Sequence, residues 1–144
     1  PHAQNREIFR QYGITYLIHE ATEVEGIKLF GSPWVPMLLN QPKYHLIPNG
    51  IDVLITHQAP FGHCDEKETK HRGCRTLAQH VVDIVAPPVH VFGHIHEGYG
   101  THRTKATLYI NAANCKRFGD EDMNAPICFD ISNSGAKRTV SLVR

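Results

Sequence analysis

The 144-residue sequence has little that would tie it to a membrane, a secreted scaffold or nucleic acid. No apolar run approaches the roughly 20 residues that cross a bilayer, so no membrane partner is expected. The opening stretch, PHAQNREIFR, has no apolar core of the signal-peptide kind. It also lacks a methionine, so the chain reads as beginning in mid-protein. The four cysteines, Cys64, Cys74, Cys115 and Cys128, form no CxxC pair. Without a secretory signal they read as reduced thiols of a cytoplasmic protein. Charge of one sign is also missing. Lys and Arg number 15 against 14 Asp and Glu, for a net +1, and no basic field gives a specific nucleic-acid signal. Internal repeats and low-complexity segments are absent.

With 41% hydrophobic and 20% charged residues, the composition suits one soluble globular domain that can bury a real core. Residues 4–12 read as a short helix. TYLIH (15–19) and GIKLFGSPW (26–34) read as strands separated by the polar EATEVE, with Pro33 and Pro36 closing the second. Residues 37–50 read as a loop ending in an Asn-Gly turn. IDVLITH (51–57) is a β-branched run suited to a strand buried on both faces. Residues 59–73 are polar and contain glycine, as a loop would. In 74–85, Cys74, Leu77, Ala78, Val81, Ile84 and Val85 have the spacing of one helical face, and Pro87 and Pro88 stop it. VHVF (89–92) follows as a strand. Residues 51–92 thus make one βαβ unit with a parallel pair, and the fold class is α/β. After residue 100, the runs 107–111, 126–132 and 138–144 read as short strands.

Eleven histidines are the compositional anomaly. In open α/β sheets ligands bind beyond the carboxyl ends of the strands. His57 ends the first strand of the βαβ unit, and His94 and His96 follow the second, so all three are expected on one sheet edge. In an extended chain, i and i+2 point the same way, with Cα atoms about 6.6 Å apart. That spacing suits two ligands on one metal or one ligand on each of two. Gly93 is expected to let the backbone turn closely there.

DVLITHQAP followed by HVFGHIHEGYG resembles the carboxyl-terminal part of a calcineurin-like metallophosphoesterase, in the subgroup whose Gly-His-x-His extends to His-Glu-Gly-Tyr-Gly. GIKLFGSPW, HLIPNGIDVL, RGC and LYINAANC are similar to the same subgroup, in order, across most of residues 15–131. The resemblance implies an α/β/β/α sandwich, with residues 1–144 a partial domain supplying the second sheet and its helix. It implies a dinuclear divalent-metal cofactor (Mn, Zn, Fe or Mg) and hydrolysis of phosphomonoesters or phosphodiesters by metal-activated water. By resemblance His57 and His94 bind the second metal and His96 the first. The implied partner is a phosphate-ester small molecule such as a nucleotide.

Three motifs of that family are missing: Asp-x-His, Gly-Asp-x-x-Asp and Gly-Asn-His. They supply the bridging carboxylate, the remaining ligands and a histidine for the leaving group. Gln58 stands where the family commonly has glycine. Two divalent cations a few ångströms apart repel strongly unless a carboxylate offsets them, so the chain alone is expected to hold one metal at most. Three functions remain: a phosphoesterase, truncated and weakly active; a non-catalytic remnant acting by binding or dimerisation; and a mononuclear zinc hydrolase on His57, His94 and His96. The apolar face that lacks the first sheet points to a homodimer or a missing N-terminal half.

Other groups have plainer readings. Cys64, His71 and Cys74, with His63 beside them, have no zinc-finger spacing and read as a solvated loop. So do Lys67, Lys70, Arg72 and Arg75, which could otherwise meet a phosphate. Glu97 and Tyr99 are either substrate contacts or turn residues. Asn111 and Asn114 read as backbone-bonding turn residues. His90, inside a strand, reads as a packed, hydrogen-bonded core histidine.

Overall fold

The computed structural model describes residues 2–34, 43–116, 122–134 and 137–143. The readings placed on Pro36 and on residues 37–42 lie outside the described residues. A six-stranded, mainly parallel sheet forms the centre, in the order β1 (Glu20–Val24), β2 (Ile27–Ser32), β3 (Val53–Thr56), β6 (Val89–Phe92), β8 (Leu108–Asn111), β7 (Gly100–Arg103). The inner four strands are mutually parallel, and β1 and β7 run antiparallel at the edges. The small hairpin β4 (Glu66–Lys67)–β5 (Lys70–His71) lies within the 59–73 connection. The expected βαβ unit is present as β3, α2 (Arg75–His80) and β6, and α1 (His2–Gln11) opens the chain.

The inner strands are Val-, Ile- and Leu-rich because both of their faces are packed. On one face Phe30, Leu54, Phe92 and Tyr109 meet Leu77, Val81 and Val85 from the helical segment. On the other, Val53, Val89, Leu108 and Ile110 meet Ile127, Phe129, Ile131 and Val140. Three of these belong to the hairpin β9 (Phe129–Ser134)–β10 (Lys137–Leu142). Arg138 Nε on that hairpin donates to Asp52 Oδ1 at 2.9 Å. Asp52 Oδ2 in turn accepts from the Lys28 amide at 2.8 Å. The cover is partial: Ile55 is 40% exposed, so β3 is not buried on both faces along its whole length.

Four further expectations are corrected. TYLIH is not a strand. Leu17 lies so close over Gly31 that a Cβ there would be 2.6 Å from the Leu17 Cβ, and the segment forms no strand. The polar Glu20–Val24 is the strand, joined to β2 by Glu25 and Gly26, both at positive φ, the two-residue turn that matches strand twist. Ile84 is 56% exposed. After His80 the chain widens into a π-helical turn over Val81–Val85, which turns residue 84 outward while keeping Val81 and Val85 inward. Finally, β7 and the parallel pairing of β8 with β6 extend the sheet further than the sequence pattern indicates.

Candidate metal centre

The carboxyl ends of β3 and β6 adjoin, and the Gly93 amide donates to the His57 carbonyl at 3.3 Å. His57 and His94 meet there, with Nε2 of the first 3.1 Å from Nδ1 of the second. Two nitrogens on one tetrahedral zinc, each about 2.0–2.1 Å from it, would lie about 3.3 Å apart, so this pair fits two ligands of one ion. Burial, and then the neighbouring His94, holds the His57 pKa below its usual value, which keeps the ring neutral and its nitrogen free to ligate.

His96 does not follow as an extended i+2 partner. His94 sits at φ +71°, a costly conformation for a residue with a Cβ, and His96 begins a 3-10 turn over His96–Gly98. The positive φ falls on His94 and not on Gly93, whose Cβ would meet only ordinary contacts. The glycine that the turn requires is Gly98, where a Cβ would lie 2.2 Å from the Cys64 carbonyl oxygen. All three histidines still line one cleft of about 520 Å³, together with Lys67, Arg72 and Glu97. His96 Nδ1 is buried without a hydrogen-bond partner among the described residues. Among the described residues no three His, Cys, Asp or Glu side chains converge closely enough to hold a metal ion. Among the described residues, then, His57 and His94 are in contact and His96 lines the same cleft.

Lys67, Lys70, Arg72 and Arg75 are exposed, as a solvated segment would be, and two of them, Lys67 and Arg72, line the cleft. Lys67 Nζ pairs with Glu97 Oε1 at 3.2 Å on the wall of the cleft. The Glu97 carboxyl is held low by its own backbone amide and then by Lys67. Arg72 lines both this cleft and a neighbouring one of about 260 Å³ bounded by Trp34, Gln58 and His94. Arg75 instead lies 3.7 Å over the Phe61 ring. Tyr99 is a turn residue whose hydroxyl donates to Ala125 O at 2.6 Å. Gln58 needs no positive φ, and its Oε1 accepts from the Tyr44 hydroxyl at 2.9 Å.

The supporting residues were only partly foreseen. Asn111 is fully buried in β8. Its Nδ2 donates to Cys64 O and Ile95 O, each at 2.8 Å, and its Oδ1 accepts from the Ala113 amide at 3.0 Å. It therefore ties the histidine turn to the 59–73 loop. Asp65, also fully buried, contacts His71 Nδ1 at 2.6 Å and accepts from the Gly73 amide at 2.8 Å. That occupies His71, and Cys74 Sγ is taken up in capping α2. His90 behaves as expected: fully buried, with Nε2 2.9 Å from Thr56 Oγ1.

The comparisons point one way. The chain is 40% identical over 129 residues to metallophosphoesterase domain-containing protein 1 of Homo sapiens, covering 81% of this chain and 39% of that protein. It is 41% identical over 128 residues to UPF0046 protein T07D4.2 of Caenorhabditis elegans, covering 81% and 32%. A second protein of that organism, UPF0046 protein K07C11.7, is 34% identical over 139 residues, covering 89% and 46%. The chain thus spans less than half the length of these relatives. A solved crystal structure superposes with a TM-score of 0.59 at 19% identity, covering 76% of this chain and 50% of that one, a likeness of fold alone. No protein-family profile matches the chain.

Proposed function

Because the chain belongs with the metallophosphoesterase domain-containing proteins, we propose that it forms the histidine-bearing part of a metal-dependent phosphoesterase site. The observation that carries this reading is the His57–His94 pair, 3.1 Å apart where two adjacent parallel strands end. A divalent metal there would supply Lewis acidity and a water of lowered pKa. His57 would hold it through Nε2 and His94 through Nδ1, with His96 lining the same cleft. Lys67 and Arg72 bring positive charge to the same cleft, where they would bind the oxygens of a phosphomonoester or phosphodiester. Glu97 steadies Lys67, and Asn111 keeps the histidine turn in place.

The imidazoles carry no negative charge, so they suit one cation and not a close pair. A second metal requires a bridging carboxylate, which the family draws from upstream motifs that these residues lack. In an α/β/β/α sandwich that carboxylate would come from the first sheet, packed over the open face beside Ile55. A segment outside these residues or a second copy would supply that sheet.

The test is hydrolysis of bis(p-nitrophenyl) phosphate with added Mn(II), comparing the unaltered chain with His57→Ala and His94→Ala. Weak turnover that falls at least tenfold in both variants is expected. Turnover indifferent to both substitutions would overturn the assignment. Binding at the cleft without any turnover would favour the remnant that acts by binding.

A further inference from the structure

A second imidazole pair lies outside the cleft. His63, in the loop after β3, and His102, on edge strand β7, face each other with Nδ1 2.8 Å from Nδ1. Neither residue lines the cleft of His57, His94 and His96. We propose that His63 and His102 form a separate, solvent-open site for a late first-row divalent cation, with copper(II) the best fit.

Three observations carry this. First, the pair is held before any ion arrives. The His63 ring stacks on Tyr109 with centroids 3.9 Å apart and planes 5° apart, and Tyr109 is 1% exposed. His102 is paired with Tyr109 in the β7–β8 register, so one buried ring locates both imidazoles. Second, the spacing selects geometry. Two nitrogens about 2.0 Å from an ion and 90° apart lie about 2.8 Å from each other, whereas a tetrahedral ion spreads them to about 3.3 Å. At 2.8 Å the two Nδ1 atoms stand at hydrogen-bonding distance, a separation that one ion can span when its ligands lie at right angles, as on copper(II) or nickel(II). Third, the ligand type agrees. Imidazole suits these ions, and copper(II) leads the affinity order for a given nitrogen site. No third His, Cys, Asp or Glu among the described residues completes the site, so water would fill the remaining positions and the ion would exchange freely. His102 is exposed, which gives the ion a direct path from solvent.

The experiment is a copper(II) titration followed by electron paramagnetic resonance, with a parallel zinc(II) titration by calorimetry. It is run on the chain carrying His57→Ala and His94→Ala, so its outcome does not depend on the phosphoesterase reading. Two further variants are made in that background. His102→Ala removes an exposed ligand, and His63→Phe keeps a ring on Tyr109 while removing the nitrogen. The expected result is one copper(II) per chain with a tetragonal spectrum split by two nitrogens, bound at least tenfold more tightly than zinc(II). Both further variants should weaken copper binding at least tenfold while their far-UV circular dichroism stays unchanged. Copper affinity that survives His102→Ala in the folded protein would overturn the proposal. So would a spectrum showing no nitrogen splitting, or zinc bound as tightly as copper. Should the doubly substituted background not fold, the same two variants are made in the unaltered chain, where loss of one of two copper equivalents is the supporting result and loss of none the contrary one.

Discussion

At the scale of single residues, hydrogen-bond bookkeeping fixes the state of His90. The one hydroxyl proton of Thr56 goes to the Gln58 carbonyl at 2.7 Å, so His90 Nε2 must donate to Thr56 Oγ1. Nδ1 is then a bare acceptor, buried without a partner. Full burial, and then His63, depresses the His90 pKa from 6.5 to about 3. Its other neighbours are the rings of Phe92 and Tyr109, which offer no counter-charge. Between those two pKa values the unfolded chain binds a proton that the folded chain refuses. Stability from this group is therefore present above pH 6.5 and is lost as pH falls towards 3, by up to about 1.4 kcal/mol per unit. Urea unfolding at pH 7 and pH 5 should show a larger loss in the unaltered protein than in His90→Gln, and equal losses would contradict the assignment. Asn111 is the second such residue. Asn111→Ala would take the partner from Cys64 O and from the Ala113 amide, while Ile95 O keeps the Gly98 amide. Thermal unfolding should show a loss of about 3 kcal/mol, since each buried orphan costs about 1–3 kcal/mol. The role of His90 was legible in the sequence because a histidine inside an apolar strand has few other fates. For Asn111 the bonding to backbone was legible but two of its partners were not, because they lie 47 and 16 residues away.

At the scale of elements, legibility followed burial. IDVLITH and VHVF announced parallel strands because β-branched runs in a short chain have few other uses, and the helix between them placed His57 and His94 on one edge. Glu20–Val24 and Gly100–Arg103 went unread because edge strands facing water carry polar side chains, which the alternation rule cannot separate from loop. His96 was misdirected for a related reason. The expected extended spacing fails where His94 adopts φ +71°, a local choice that composition does not report. The β9–β10 hairpin was seen as strands, but its fastening was not. Arg138 reaches back 86 residues to Asp52. Asp52 and Arg138 side chains are 10% and 21% exposed, so the pair is desolvated enough to matter. Arg138→Met should cost about 1–3 kcal/mol, less than the full penalty of a wholly buried pair. Faster amide exchange confined to β9, β10 and the start of β3 should accompany it. Uniform exchange across the sheet would point to a global effect instead.

At the scale of the whole molecule, the sheet has one complete face and one partial face. The helical segment seals Leu54, Phe92 and Tyr109, while the opposite face is closed at the Val53 and Val89 end and open at Ile55. The open part lies next to His57. The mixed α/β class and the convergence of His57 with His94 were readable from the sequence, while the incomplete charge balance of the site was readable only from what the sequence omits. The most direct test of the central claim is metal content per chain after equilibration with Mn(II) and Zn(II) and removal of excess ion, for the unaltered protein and for the variant with His57→Ala and His94→Ala. The account predicts one equivalent that depends on the His57–His94 pair and disappears in the variant. Metal content unchanged by the double substitution would contradict it.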